Sequence, residues 1–237
     1  MCIRDRIKAT TISTLLQQML NFASPTAAKE TDYTVRQMLA DFSTGLGDQL
    51  RDQPEVEAAI RATIGNAYRR LQSFEQAEPQ LKSALELRVG LFGPEHPDVA
   101  QSLVDYSANL YGRGDVVGAE SHARQALAIH RKLPLPDRVA MQILSTLQLY
   151  LVVQDKFDEA TQIAQEALRI AGRRPAHYPE EANVLHHLAH GVLRQGDARQ
   201  AEQFAQQSVE LHRKLHGDQH PETAHGLFVL ASVLHDS

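Results

Sequence analysis

The sequence predicts an all-α protein, a solenoid of antiparallel helix pairs, and three observations carry that prediction. The first is a recurrence every 41 or 42 residues, marked by Ala77, Ala119, Ala160 and Ala201. The second is a pair of satellites at fixed distance. Seven residues after each alanine comes another small residue, Ala84, Ala126, Ala167 or Ser208, and five before each lies Gln72, Gly114, Asp155 or Gly196. Small residues two turns apart on one helix let a neighbour approach closely, and glycine or a residue tolerant of positive φ suits the turn before it. The third is composition: 43% apolar, 5% aromatic and no Trp in 237 residues, which suits stacked helices that contact only their neighbours.

The elements follow in order. Residues 1–6 resemble translated adapter sequence and do not continue the helical pattern; they are read as a non-native leader, and Cys2 with them. Residues 9–22 place Ile12, Leu15, Leu16, Met19 and Phe22 at helical spacing, and Thr34 to Leu50 does the same with Val35, Met38, Leu39 and Phe42. These two helices form a linker or cap over residues 7–50, with a bend expected near Gly45 and Gly47. The array proper spans 51–237, four repeats and the first helix of a fifth, Ala224 to Leu234, which reads as cut short. Each first helix opens with proline or an acid: Pro54-Glu55, Pro97-Asp98, Asp137, Pro179-Glu180 and Pro221-Glu222. Proline fits a first turn whose N–H has no partner, and carboxylates complement the positive end of the helix dipole.

Second helices are punctuated differently. Ser73 with Gln76 and Asp197 with Gln200 have capping-box spacing, and Asp115 follows Gly114. Their far ends carry Arg88, Arg131-Lys132, Arg173-Arg174 or Arg213-Lys214, which suit the negative dipole end better than they suit phosphate contacts. The third repeat is the irregular one. Pro134 and Pro136 precede it and Gln148 occupies a small-residue site, so a local change in superhelical curvature is expected.

Charge and chemistry narrow the function. A net charge of −5 and a pI near 6.2 argue against nucleic acid or anionic lipid as general partners. One cysteine excludes an intramolecular disulfide or thiolate cage, and no apolar run is long enough to span a bilayer, which fits a cytoplasmic segment, whose parent is free to be membrane-anchored. His186 and His190 share a helix face like zinc ligands, with His187 between them, but no third ligand accompanies them. No metal or cofactor is expected. Neighbouring imidazoles resist double protonation, so this pair predicts pH-sensitive association instead. Asp41-Phe42-Ser43 lacks the glycine of a kinase metal-binding motif, and Gly45-Leu46-Gly47 has no strand before it. Nothing in the chain reads as catalytic.

The residue pattern resembles a known family. Ile64-Gly65, Tyr68, Ala77, Leu81 and Ala84 match the tetratricopeptide signature, and Leu188-Ala189, Ala201 and Ala205 match most of it. Residues 92–100 and 216–224, Phe-Gly-Pro-Glu-His-Pro-Asp-Val-Ala and His-Gly-Asp-Gln-His-Pro-Glu-Thr-Ala, are similar to the linker of 42-residue, kinesin-light-chain-type repeats. That resemblance covers about residues 51–237 and implies a right-handed superhelical solenoid whose first helices line a concave groove. Residues 15–20, 33–39, 52–57 and 77–79 also resemble the region joining kinase and repeats in bacterial serine/threonine protein kinases. What this implies is a catalytic domain upstream, in a parent enzyme, and none in this stretch.

The family register implies groove positions at Asn66, Arg69 and Arg70 in the first repeat and Val104, Ala108 and Tyr111 in the second. The third supplies Ser145, Leu149 and Val152, and the fourth Asn183, His186, His190 and Arg194. Asn and Arg can hydrogen-bond a peptide backbone or carboxylate, and Tyr adds a rigid amphipathic contact. For each residue taken alone, solvation or inter-repeat packing is the competing role. The function expected is a non-enzymatic scaffold that takes a peptide segment of a partner protein, with substrate recruitment for an upstream kinase as the alternative.

Overall fold

The computed structural model describes residues 34–133, 135–173 and 179–235. The expected helix at 9–22, the leader at 1–6, Pro134 and Arg174 lie outside the described residues. Among those described there are eleven helices: α1 Val35–Ser43, α2 Leu46–Gln49, α3 Pro54–Arg70, α4 Phe74–Phe92, α5 Pro97–Gly112, α6 Val116–Lys132, α7 Asp137–Val153, α8 Phe157–Ala171, α9 Pro179–Arg194, α10 Ala198–His216 and α11 Pro221–His235. They divide into two compact units, residues 1–113 and 114–237.

In the first unit, Thr34 and Gln37 form a reciprocal capping box that starts α1. The helix stops where Gly45 takes φ +75°, and α2 restarts it, which is the break expected from the paired glycines. Leu39, Phe42, Leu46 and Leu50 then pack on Val56, Ile64 and Tyr68 of α3 and on Ala77 and Leu81 of α4. Close approach of α3 to α4 depends on Gly65, since a Cβ there would lie 2.5 Å from Leu81 Cγ. Proline opens α3 and α5 in the first turn.

The recurrent small residues do what their spacing predicts. Ala77, Ala84, Ala119, Ala126, Ala160, Ala167, Ala201 and Ser208 are all buried. The four turn positions before them all take positive φ: Gly114 and Gly196 without strain, and Gln72 (+57°) and Asp155 (+58°) against the preference of a side chain. Asp115 and Asp197 cap their helices by accepting from Gly118 N at 2.8 Å and Gln200 N at 3.0 Å.

Two of the expected signals have other roles. Ser73 makes no side-chain cap; its hydroxyl donates to the Leu71 carbonyl at 3.5 Å, and its backbone N–H, which a capping-box Gln76 would have taken, closes the turn onto Tyr68 O. Arg88 is not a dipole partner, since α4 runs on to Phe92. It straps α4 to α5 by donating to Ser102 Oγ at 2.7 Å and Asp98 O at 3.2 Å.

In the second unit α7 is buried along most of its length, through Met141, Ile143, Leu144, Leu147, Tyr150 and Leu151. Gln148 is fully buried beside them and donates from Nε2 to the Val184 carbonyl of α9 at 3.1 Å. The amide therefore ties two first helices together where the other repeats place a small residue. Ser208 does similar work between α10 and α9, donating to Ala182 O at 2.8 Å. Exposed ion pairs repeat along the unit: Arg124 with Glu159 at 2.7 Å and Arg131 with Glu166 at 3.2 Å, each 35 residues apart. In the first unit Arg113 and Glu78 are paired at the same separation.

Candidate functional site

The first helices α3 and α5 in one unit, and α7 and α9 in the other, carry the residues that the register assigns to a ligand-facing surface. In the first unit α3 and α5 pack side by side. Asn66 and Arg69 are half-buried, and Arg69 Nε donates to Asn66 Oδ1 at 3.3 Å. Arg70 is exposed; Ala108 and Tyr111 are half-buried on α5. Val104 is only 3% exposed and faces the packing instead.

A carboxylate that sequence reasoning did not single out sits at the centre of this surface. Asp105 is 9% exposed, accepts from Gln101 Nε2 at 3.2 Å, and also feels the Asn66 amide of α3. Burial pushes its carboxyl above the usual range, and the Gln101 hydrogen bond, the Asn66 amide and the Arg69 and Arg88 charges pull it back only in part. Two hydrogen-bonded pairs, Asn66 with Arg69 on α3 and Gln101 with Asp105 on α5, thus meet as one polar cluster across two helices. The available signal was Gln101 and Asp105 one turn apart on α5.

In the second unit the surface is less polar on α7 and more polar on α9. Ser145 (8% exposed) and Val152 (6%) are buried, and the Ser145 hydroxyl donates to Gln142 O, so neither has much area for a ligand. Leu149 is half-buried, and Val153 on the same helix is exposed. On α9, Asn183 and His186 are half-buried while His190 and Arg194 are exposed. The His186 and His187 rings meet edge to face with centroids 5.3 Å apart. Arg194 lies 3.8 Å from Asp155, a loose pair in solvent that leaves the guanidinium available.

This arrangement offers amide and guanidinium donors, a buried carboxylate and short apolar stretches, groups able to hydrogen-bond and pack against a ligand. Among the described residues no group of three or more His, Cys, Asp and Glu is placed to hold a metal ion, and no helix is long and apolar enough to cross a membrane. A cavity of about 490 Å³ between the start of α3 and the end of α4, bordered by Arg61, Leu87 and Leu91, involves none of the assigned residues.

Comparison with known proteins agrees with the repeat geometry. The tetratricopeptide repeat model matches residues 56–132, 140–214 and 180–237. Kinesin light chain-related protein 1 of Arabidopsis thaliana is 26% identical over 121 residues, which is 50% of this chain but only 20% of that protein. The crystal structure of BtubC (BKLC) from P. vanneervenii superposes with a TM-score of 0.70 at 17% identity, covering 86% of this chain and 85% of that one. The nearly identical TPR-like repeats of a Podosopora anserina kinesin light chain superpose with a TM-score of 0.60 at 18% identity, covering 79% and 86%. At such identities these structures establish the fold.

Proposed function

Because this chain belongs to the tetratricopeptide repeat family, whose members are generally protein-interaction scaffolds, we propose that it binds a peptide segment of a partner protein on the first-helix face. The observation that carries this reading is the polar cluster of Asn66, Arg69, Gln101 and Asp105. Polar side chains held this way are pre-ordered, so a ligand meets fixed donors and little side-chain entropy is lost on binding. In the second unit, Leu149 and Val153 supply apolar contact, and Asn183, His190 and Arg194 supply polar ends.

The test is direct. Peptides selected from a displayed random library against the full chain are titrated into wild type and into a variant carrying Arg69→Ala, Arg70→Ala and Arg194→Ala. Affinity should fall about tenfold or more with the array still folded, since charged interface hydrogen bonds contribute about 1.5–3 kcal/mol each. Unchanged affinity would remove these residues from the site.

A second reading rests on the resemblance of residues 33–39 and 52–57 to the segment that joins kinase and repeats. On that reading the surface recruits substrates to a catalytic domain of a parent protein. Sequence of the native locus upstream of residue 7 decides it: a nucleotide-binding loop and a catalytic Asp in frame support recruitment, and their absence rejects it.

A further inference from the structure

Two linkers share a construction that the peptide-binding role does not require. At residues 92–98 and 216–222 the pattern is aromatic ring, Gly, two variable residues, His, Pro, acid. The glycine takes φ +80° and ψ 169° in the first and φ +86° and ψ 171° in the second, so the backbone turns alike in both. The ring at the head of each linker then stacks on its histidine: Phe92 on His96 with centroids 4.4 Å apart, and His216 on His220 at 4.5 Å. In each case imidazole Nδ1 accepts a backbone N–H of the helix that follows, Asp98 N to His96 at 3.2 Å and Glu222 N to His220 at 3.3 Å. Histidine is therefore doing the work usually done by Ser, Thr, Asp or Asn before a helix.

We propose that these imidazole caps make the starts of α5 and α11 sensitive to protons, so that mild acid loosens the α4–α5 and α10–α11 junctions. Accepting a backbone N–H needs the Nδ1 lone pair, and imidazole is the one side chain whose ordinary titration removes such a lone pair between pH 5 and 8. Once protonated, Nδ1–H faces the N–H it used to accept, and a positive charge sits at the positive end of the helix dipole. The stabilisation is thus present at higher pH and lost as pH falls.

The charges around each cap set the balance. His96 faces the Asp98 carboxylate at 3.8 Å, an exposed group that screening weakens; Arg88 of α4 lies behind it on the Asp98 carbonyl, and Glu95 adjoins it in the linker. His220 has the Glu222 carboxylate next to its cap, while Asp218 is held by Arg213 of α10 at 2.9 Å, with Lys214 on the same turn. Its stacking partner is itself a histidine, and His212, buried in α10, stacks behind that ring at 6.0 Å. Protons added to this row put like charges face to face, so the α10–α11 junction is the more acid-sensitive of the two.

The experiment is hydrogen exchange on the full chain at pH 7.5 and 5.5, corrected for intrinsic rates, reading segments that contain the starts of α5, α10 and α11. Wild type should show about a fivefold larger opening constant at pH 5.5 for α5 and more for α11, the equivalent of losing one cap of ~1 kcal/mol. The start of α10, which the Asp197 side chain caps, should not respond. A variant with His96→Asn and His220→Asn, whose caps do not titrate, should show no pH response at α5 and, at α11, only the smaller part left by the His212–His216 pair; His96→Ser with His220→Ser serves if the first folds poorly. His216→Phe, which copies the first linker, should reduce the α11 response to that of α5. No response in wild type, or the same response in the Asn or Ser variant, would overturn the proposal.

Discussion

Replacing Glu120 with Gln should cost far more than replacing any of the exposed acids that look equivalent to it. Glu120 is a carboxylate 9% exposed on α6, and it accepts from Arg124 Nη2 at 2.7 Å, Lys156 Nζ at 2.7 Å and Gln154 Nε2 at 2.6 Å. Glutamine keeps one acceptor oxygen but turns an NH₂ toward two donors. Two hydrogen bonds are lost, at least one of them charge-assisted at about 1.5–3 kcal/mol, while Lys156 and Arg124 are near half exposed and recover some hydration. The net loss is about 2–3 kcal/mol, or about 1–1.5 M in the urea midpoint at a slope of ~2 kcal/mol/M. Glu166→Gln breaks a single exposed pair with Arg131 and should cost about 0–1 kcal/mol. Burial alone would push the Glu120 carboxyl up, yet its bonds from Lys156, Arg124 and Gln154 hold it below the usual range. Its contribution is therefore full above the ordinary glutamate value and lost as pH falls through the lower folded one, so wild type and Glu120→Gln should converge only once the pH has fallen below the ordinary glutamate range. Paired urea titrations of both variants at neutral pH and in acid supply the check. Equal midpoints for Glu120→Gln and Glu166→Gln would refute the reasoning.

Other substitutions probe the packing and the surface. Gly65→Ala should destabilise by about 1–3 kcal/mol because Leu81 has to move, whereas Gly90→Ala, in open space on α4, should gain up to ~1 kcal/mol of helix propensity; thermal unfolding of the two variants separates the effects. Gln148→Ala should cost about 2–4 kcal/mol through a cavity and a lost bond to Val184 O, and Gln148→Leu clearly less; equal losses for the two in urea unfolding would mean the amide bond outweighs the volume. If His186 and His190 contact the ligand, the affinity of a selected peptide should differ between pH 5.5 and 7.5 and cease to differ in His186→Gln/His190→Gln; equal wild-type affinity at both pH values would remove them.

The backbone of this fold is legible because its constraints are local and leave few residue choices. Ala77 and its counterparts sit where a neighbouring helix admits nothing larger, and Gly114 and Gly196 sit where φ is positive, so both can be read from spacing alone. Gln72 and Asp155 take the same backbone without glycine and were legible only through the repeat. Roles set by a neighbouring helix were harder to see. Arg88 reads as a helix-end cation until α5 brings Ser102 within reach, and Ser73 reads as a cap until the turn claims its N–H. The surface residues divide in the same way. Arg70 and His190 are exposed in any helix of this register, but Val104, Ser145 and Val152 are buried by elements outside their own helices. Asp105 went unread because an acid one turn from Gln101 looks like a solvated pair until α3 delivers Asn66 and Arg69 to it.

The most direct test of peptide recognition by the first-helix face is a hydrogen-exchange and side-chain footprint of the full chain with and without a library-selected peptide. Protection confined to the exposed faces of α3 and α5 around Asn66, Arg69 and Tyr111, or of α7 and α9 around Leu149, His190 and Arg194, is the predicted result. Protection on the second helices α4, α6, α8 or α10, with those positions unchanged, would contradict it.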